Sequence, residues 1–182
     1  WYYTILFITG FTSMSLEVIW VRDFTPVVGT TVYSFALIVA IYLLATWMGS
    51  TAYRREAAKG RAMSTPMLLA ALAVFSLFPI VINDPRLRLW KVGIIGGIFP
   101  FSFLLGYLTP KLIDEYSQAN PDHAGRAYAI NIVGCILGPL AASYLYLPWI
   151  GAKGSMILMA LPYAILCGLS LKELKPNVQI IT

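Results

Sequence analysis

The sequence predicts an all-α membrane protein, built as a polytopic bundle of about six transmembrane helices. Of its 182 residues, 59% are hydrophobic and 12% are charged, and the mean hydropathy is +0.75. Soluble domains carry about 25% charged residues, so the composition excludes an ordinary soluble domain. The charged side chains fall in short clusters between apolar stretches, which indicates loops rather than a face that binds nucleic acid.

A transmembrane helix needs roughly 20 mostly apolar residues, and six segments have or nearly have that length. In chain order they cover roughly residues 2–21, 32–52, 66–82, 92–108, 127–149 and 155–171, of which the third and the sixth are the shortest. Basic residues follow the second segment, Asn83-Asp84-Pro85 breaks the chain after the third, and Asn120-Pro121-Asp122 is predicted to lie in a loop before the fifth. We expect the segments to form a single domain over residues 1–182.

The basic residues favour one orientation in the membrane. If the first segment begins in the cytoplasm, eight of the thirteen lysines and arginines fall on the cytoplasmic side. These eight are Arg54, Arg55, Lys59, Arg61, Lys111, Arg126, Lys172 and Lys175. The cluster of Arg86, Arg88 and Lys91 opposes this assignment. Because cytoplasmic loops are enriched in Lys and Arg, we predict a multi-pass protein of the cell (inner) membrane with both termini in the cytoplasm.

A search for internal repeats finds one weak match. Gly29–Tyr33 and Gly125–Tyr128 each place an aromatic residue shortly after a glycine at the start of a segment, and little else agrees. Three-plus-three repeats are common in transporters, but this pattern alone gives only weak support for one.

Glu17 is the strongest candidate for a functional side chain within the membrane. Thr9, Ser13 and Glu17 recur every four residues and Trp20 follows three later, so these side chains share a helix face. An acidic group at membrane depth costs a few kcal/mol and needs a partner, water or a proton. The alternative is that Glu17 lies near the headgroups and pairs with Arg22 or with a loop. Five residues place Arg22 roughly 140° around the helix, which disfavours a pair within the helix.

Small residues form a stripe on the fifth segment. Asn131, Gly134 and Gly138 share this stripe with Ala127 and Ala141. Small residues let helix backbones approach closely, and Asn131 can bond to a neighbouring helix with a stabilisation of about 0.6 to 2 kcal/mol. We therefore predict that this stripe packs against another helix.

The fourth segment has its own pair of glycines four residues apart, Gly93 and Gly97. They are predicted to serve helix packing in the same way. Pro100 removes a backbone donor and is expected to kink this helix.

No catalytic motif, metal site or cofactor site is recognisable in these residues. Cys135 and Cys167 lie in apolar stretches without metal-ligand spacing, and His123 is the only histidine. No Gly-rich phosphate loop, nucleophile elbow or HExxH motif occurs. We therefore expect neither a cofactor nor a metal. Aromatic residues near the segment ends are predicted to form an interfacial belt, namely Trp1, Tyr2, Tyr3, Trp20, Tyr53, Trp90, Tyr107 and Trp149.

Two runs of residues resemble the membrane domain of a known family. The first is Glu17-Val18-Ile19-Trp20-Val21-Arg22, followed by Gly29-Thr30-Thr31-Val32-Tyr33-Ser34-Phe35-Ala36 and ending at Gly49-Ser50. The second is Gly125-Arg126-Ala127-Tyr128-Ala129-Ile130-Asn131, followed by Gly134, Gly138 and Leu147-Pro148-Trp149-Ile150-Gly151. In this order they resemble the N-terminal membrane domain of integral-membrane spermidine-synthase-like proteins, and they cover about a third of the chain.

In that family the membrane helices resemble half of a major-facilitator transporter and precede a soluble aminopropyltransferase domain. The resemblance therefore implies a domain that anchors an enzyme or passes its substrate, with a polyamine as the solute and a catalytic domain beyond Thr182. No catalytic residue carries over, and the isolated residues are not expected to transfer an aminopropyl group. The residues that match the family pattern are Glu17, Trp20, Arg22, Tyr33, Arg126, Tyr128 and Asn131.

Two other interpretations stay open at the level of sequence. The chain would also suit a noncatalytic accessory subunit that packs its small-residue stripes against a larger membrane complex. It would equally suit half of a small transporter that associates with itself. In all three cases the partners are the lipid bilayer and other membrane helices, and nucleic acid is not among them.

Overall fold

A computed structural model describes residues 1–82 and 90–174 of the chain. Within these ranges the secondary structure is entirely helical, in agreement with the predicted all-α fold. The predicted break at Asn83-Asp84-Pro85 lies outside the described residues, as do Arg86, Arg88 and Lys175.

Seven α-helices and one short π-helix follow one another along the described chain. The α-helices are α1 (Tyr2–Val28), α2 (Thr31–Ala57), α3 (Thr65–Phe75), α4 (Phe78–Ile82), α5 (Trp90–Ser117), α6 (Pro121–Ala141) and α7 (Leu147–Leu174). The π-helix, Ala142–Tyr146, joins α6 to α7 without a loop.

Five stretches of the described chain are long and apolar enough to cross a membrane. They are Tyr2–Pro26, Thr31–Ala57, Thr65–Ile82, Gly93–Ser117 and Pro121–Leu171. The last contains 51 residues, which at about 1.5 Å per residue exceeds twice the thickness of a bilayer core. Its backbone leaves the helical conformation at Gly151, where φ is 68° and ψ is 178°. The fifth and sixth predicted segments are thus continuous apart from Gly151.

Local side-chain chemistry explains where several helices begin and end. Gly29 ends α1 in the left-handed conformation, and the Thr30 hydroxyl then accepts a hydrogen bond from the Tyr33 amide at the start of α2. The Asn120 side chain accepts from the Asp122 amide at 3.0 Å and starts α6. The loop predicted at Asn120-Pro121-Asp122 is therefore wrong for Pro121 and Asp122, which together with the exposed His123 form the first turn of α6.

The helices pack mainly in three pairs. The most extensive contacts join α1 to α6 and α2 to α5, and α3 packs against α7. Aromatic rings fill the core between the pairs: the Trp20 ring meets that of Phe101 edge to face at 5.6 Å, and the Phe101 ring meets that of Tyr163 at 5.8 Å. The three pairs therefore share one hydrophobic core.

Three aromatic residues that were predicted to form part of the interfacial belt are buried in the bundle. Trp20 is fully buried, and Tyr53 donates a hydrogen bond to Asp114 at 2.9 Å. Tyr107 donates to the Glu56 carboxylate at 2.6 Å and accepts from the Met63 amide. Trp1 and Trp149 are exposed, as a belt requires.

Candidate functional site

The crossing of α1 with α6 brings the two backbones into direct contact. Gly10 lies against the backbone oxygen of Asn131, and Gly134 lies between the oxygen of Phe7 and the amide of Phe11. A methyl group on either glycine would overlap these backbone atoms. Gly138 extends the contact by one turn, where the Ser15 hydroxyl donates to its carbonyl at 2.9 Å. The predicted small-residue stripe of α6 thus faces α1.

The crossing of α2 with α5 is built in the same way. Gly49 lies against the backbone oxygen of Phe103 and the amide of Tyr107. Gly106 lies against the backbone of Thr46, again without room for a methyl group. Sequence reasoning did not single out Gly106 or Gly10, because neither is part of a pair of glycines four residues apart.

The two crossings correspond residue by residue. Adding 96 to Phe7, Gly10 and Phe11 of α1 gives Phe103, Gly106 and Tyr107 of α5, and adding 85 to Thr46 and Gly49 of α2 gives Asn131 and Gly134 of α6. Apart from the added turn at Gly138, each contact in one crossing therefore has its counterpart in the other. The weak sequence match between Gly29 and Gly125 is not part of this correspondence, since both glycines lie in open space.

A cavity of about 520 Å³ lies among the four crossing helices. Much of its lining follows the same correspondence, whereas Tyr42, Trp47, Gly106 and Pro110 line it without a counterpart in the lining. Five pairs of counterparts line it, namely Thr9 with Leu105, Ser13 with Thr109, Leu43 with Tyr128, Thr46 with Asn131, and Ser50 with Cys135. We call this space the central cavity.

Four hydroxyl groups of the central cavity present acceptors rather than donors. Thr9, Ser13, Thr46 and Thr109 each donate their hydroxyl proton to a carbonyl three or four residues earlier in their own helix, at 2.9 to 3.0 Å. The oxygen lone pairs that remain can accept hydrogen bonds. No lysine, arginine, histidine or carboxylate of the described chain lines the cavity. The lining therefore suits a ligand that donates hydrogen bonds.

Asn131 belongs both to the crossing and to the central cavity. Its amide nitrogen donates to the Leu6 carbonyl at 2.8 Å and reaches the Thr9 hydroxyl at 3.4 Å. The Cys135 thiol lies 3.8 Å from its carbonyl oxygen. The polar residue of the predicted stripe thus fixes the helix crossing and contributes to the cavity wall.

Glu17 lies one turn beyond Ser13, in a smaller cavity of about 260 Å³ that it shares with Phe35 and Pro139. The side chain is half-buried and lies close enough to Tyr42 and Cys135 of the central cavity to interact with them electrostatically. Among residues 1–82 and 90–174, no ion pair joins Glu17 to Arg22. The predicted face of Thr9, Ser13 and Glu17 therefore has two residues in the central cavity and one in this smaller cavity.

The other predicted residues are distributed over the bundle. Arg22 is exposed and lines a separate cavity of about 590 Å³, and Trp20 is packed in the core. Tyr128 lines the central cavity, whereas Tyr33 and Arg126 are exposed away from it.

On α5, Gly93 is buried and Gly97 lies in ordinary contact with Pro79 of α4. These two glycines are not at the close crossing of α5, which is formed by Gly106.

Sequence reasoning missed most of the cavity wall. Tyr42, Thr46, Trp47 and Thr109 line it, but each is an ordinary residue for a transmembrane helix when taken alone. Thr46, Trp47 and Thr109 lie within three residues of a glycine of a crossing, but this proximity becomes informative only when the crossing helices are known.

Comparisons with known protein families, with curated proteins and with solved structures gave no match to this chain.

Proposed function

We propose that this chain is a six-helix membrane domain of the spermidine-synthase-like type, and that it passes a small amine-bearing solute through the central cavity. The observation that carries the proposal is a set of four hydroxyl groups in the cavity wall whose protons are already donated to their own helices. A protonated amine has only donors to offer, so its hydrogen-bonding groups complement this wall.

A simple anchor would not need such a cavity. Polar groups inside a membrane are costly to maintain and commonly mark substrate or ion pathways. Thr46 and Asn131 lie near the middle of α2 and α6 and place polar groups in the wall of the central cavity. Passage of a solute therefore accounts for the cavity better than anchoring does.

Two further features favour a cationic solute. Tyr42, Trp47 and Tyr128 are part of the lining, and aromatic rings can attract organic cations through their faces. Glu17, in the smaller cavity, is an acidic side chain that forms no ion pair with Arg22 in the described part of the chain. The absence of any basic residue from the lining of the described chain removes a source of repulsion.

The proposed topology has six spans, with the last 51-residue stretch divided at Gly151. Six transmembrane spans return the chain to the side on which it started. The distribution of basic residues favours the cytoplasm for that side. The unit of α1 to α4 and the unit of α5 to α7 then cross the membrane in opposite directions. This is the arrangement in which transporters often place a solute site between repeats.

Uptake of radiolabelled spermidine into proteoliposomes tests the proposal. We expect saturable uptake by the wild-type chain, and a loss of about tenfold in Thr46→Val and in Thr109→Val, since each removes one acceptor without changing side-chain shape. The matched control is Thr51→Val on α2, whose hydroxyl also bonds to its own helix, at 2.8 Å, but does not line the cavity. Uptake that is absent in wild type, or equally reduced in the control, would refute the proposal.

A further inference from the structure

A second polar cavity, of about 330 Å³, lies at the end of the bundle where α1 and α3 begin and α5 and α7 end. Its lining includes Ser64 and Thr65 of α3, Lys111 and Glu115 of α5, and Ser170 of α7. None of these residues lines the central cavity. We call this space the Lys111 cavity.

Lys111 is only 4% exposed, which is unusual for a lysine. Its ammonium group donates to the Thr65 hydroxyl at 2.7 Å and to the carboxylate of Glu115 one turn further along α5. An ammonium group has three N–H donors, so one is left for another acceptor. The Glu115 side chain is 40% exposed and can turn towards water.

Two further donors are available in the same cavity. Ser170 is 6% exposed, and its hydroxyl has no hydrogen-bond partner in the described part of the chain. A buried hydroxyl without a partner is costly, so a ligand that accepts from it is favoured. Ser64 occupies the capping position of α3, but its side chain makes no capping bond to the helix. Pro66 has no backbone N–H, so the first turn of α3 offers the N–H groups of Thr65 and Met67 together with the positive end of its dipole.

We infer that the Lys111 cavity binds a phosphate group. A buried ammonium group, an unpartnered hydroxyl and an uncapped helix start all offer donors or positive charge, and a phosphate carries enough oxygens to accept from all three. Glu115 competes for Lys111, so binding requires this carboxylate to turn outwards. The phosphate group of a lipid at this end of the bundle and a soluble phosphate share this chemistry.

The inference does not depend on the proposed function, and lipid titrations of the purified chain test it. Native mass spectrometry in detergent would count bound dioleoyl phosphatidic acid, with dioleoylglycerol as the ligand that has the same acyl chains and no phosphate. A parallel titration with inorganic phosphate, followed by thermal unfolding, tests the soluble source.

We expect phosphatidic acid to bind, dioleoylglycerol not to bind specifically, and Lys111→Met to weaken phosphatidic acid binding by about tenfold or more. Glu115→Gln removes the competitor and should tighten binding several-fold, which a merely structural role of Lys111 would not produce. Lys153→Met, at the start of α7, removes the same charge elsewhere and should bind like wild type. Binding of inorganic phosphate alone, with the same response to these variants, would support a phosphate site filled from solution.

Equal binding by wild type and Lys111→Met, or equal binding of the two lipids, would overturn the inference. If Lys111→Met does not fold, binding of phosphatidic acid to Glu115→Gln and to Ser170→Ala tests the inference instead. Unchanged or weaker binding in Glu115→Gln, or unchanged binding in Ser170→Ala, would then contradict it.

Discussion

Asn131 shows how one polar residue can serve both packing and a cavity. Its position among small residues on α6 made the contact with a neighbouring helix predictable from sequence. Its partner was not predictable, because the Leu6 carbonyl that accepts from it is a backbone group with no sequence signature. The same holds for the hydroxyls of Thr46 and Thr109, whose importance depends on which helices meet around them.

Replacing Asn131 with alanine should lower the free energy of unfolding by about 1 kcal/mol, because the variant loses the bond to Leu6. Reversible unfolding in mixed detergent micelles measures this change. Ile132→Ala, at the next position and 40% exposed, is the control for shortening a side chain on α6. An Asn131→Ala protein no less stable than this control would show that the hydrogen bond contributes nothing measurable.

Glu17→Gln should keep the fold and reduce spermidine uptake, since the amide preserves shape and hydrogen-bonding capacity but removes the charge. Glu17→Leu should also assemble normally, because no donor within the described residues forms an ion pair with this carboxylate. Thermal unfolding and uptake, measured on both variants, separate the two roles. A Glu17→Leu protein that is destabilised while Glu17→Gln has wild-type uptake would instead show that Glu17 holds a donor in place.

At the scale of the helices, the sequence predicted the α6 side of the crossing between α1 and α6 but not the α1 side. The stripe of Gly134 and Gly138 identifies the face of α6 that packs. Gly10, which lies against the Asn131 backbone, has no second glycine one turn away on α1. The ends of the helices were predicted less well, since α1 continues through Arg22 and Pro26 to Val28. Charge and proline suggest a boundary locally, whereas packing against neighbouring helices sustains the helix beyond it.

Gly10→Ala and Gly106→Ala should each destabilise the bundle by about 1 to 3 kcal/mol, because the new methyl group would overlap backbone atoms that cannot move aside. The residue correspondence between the two crossings predicts effects of similar size. Gly168→Ala on α7 is the matched control, since its methyl group would meet nothing within 4 Å. Unfolding free energies of the three variants test this, and a Gly10 or Gly106 variant as stable as the control would contradict close packing at that crossing.

At the scale of the whole molecule, composition and segment length were enough to predict a helical membrane protein, but they did not reveal its internal correspondence. The two crossings preserve geometry rather than residue identity, since Thr46 corresponds to Asn131 and Ser50 to Cys135. Only small residues at the contacts and aromatic residues beside them recur, as in Phe7 to Phe11 and Phe103 to Tyr107. Such a pattern is too short to stand out from an apolar background.

The number of spans sets the relative orientation of the two units, α1 to α4 and α5 to α7, in the membrane. In a background of Cys135→Ser and Cys167→Ser, single cysteines at Lys59 and Lys153 report the two sides of the membrane to an impermeant maleimide. If the chain turns back at Gly151, where φ is 68°, Lys153→Cys should be labelled from outside intact cells and Lys59→Cys only after lysis. Labelling of both from the same side would contradict the six-span topology. If Pro121–Leu171 instead crossed the membrane once, position 153 would lie within the bilayer and resist labelling from either side.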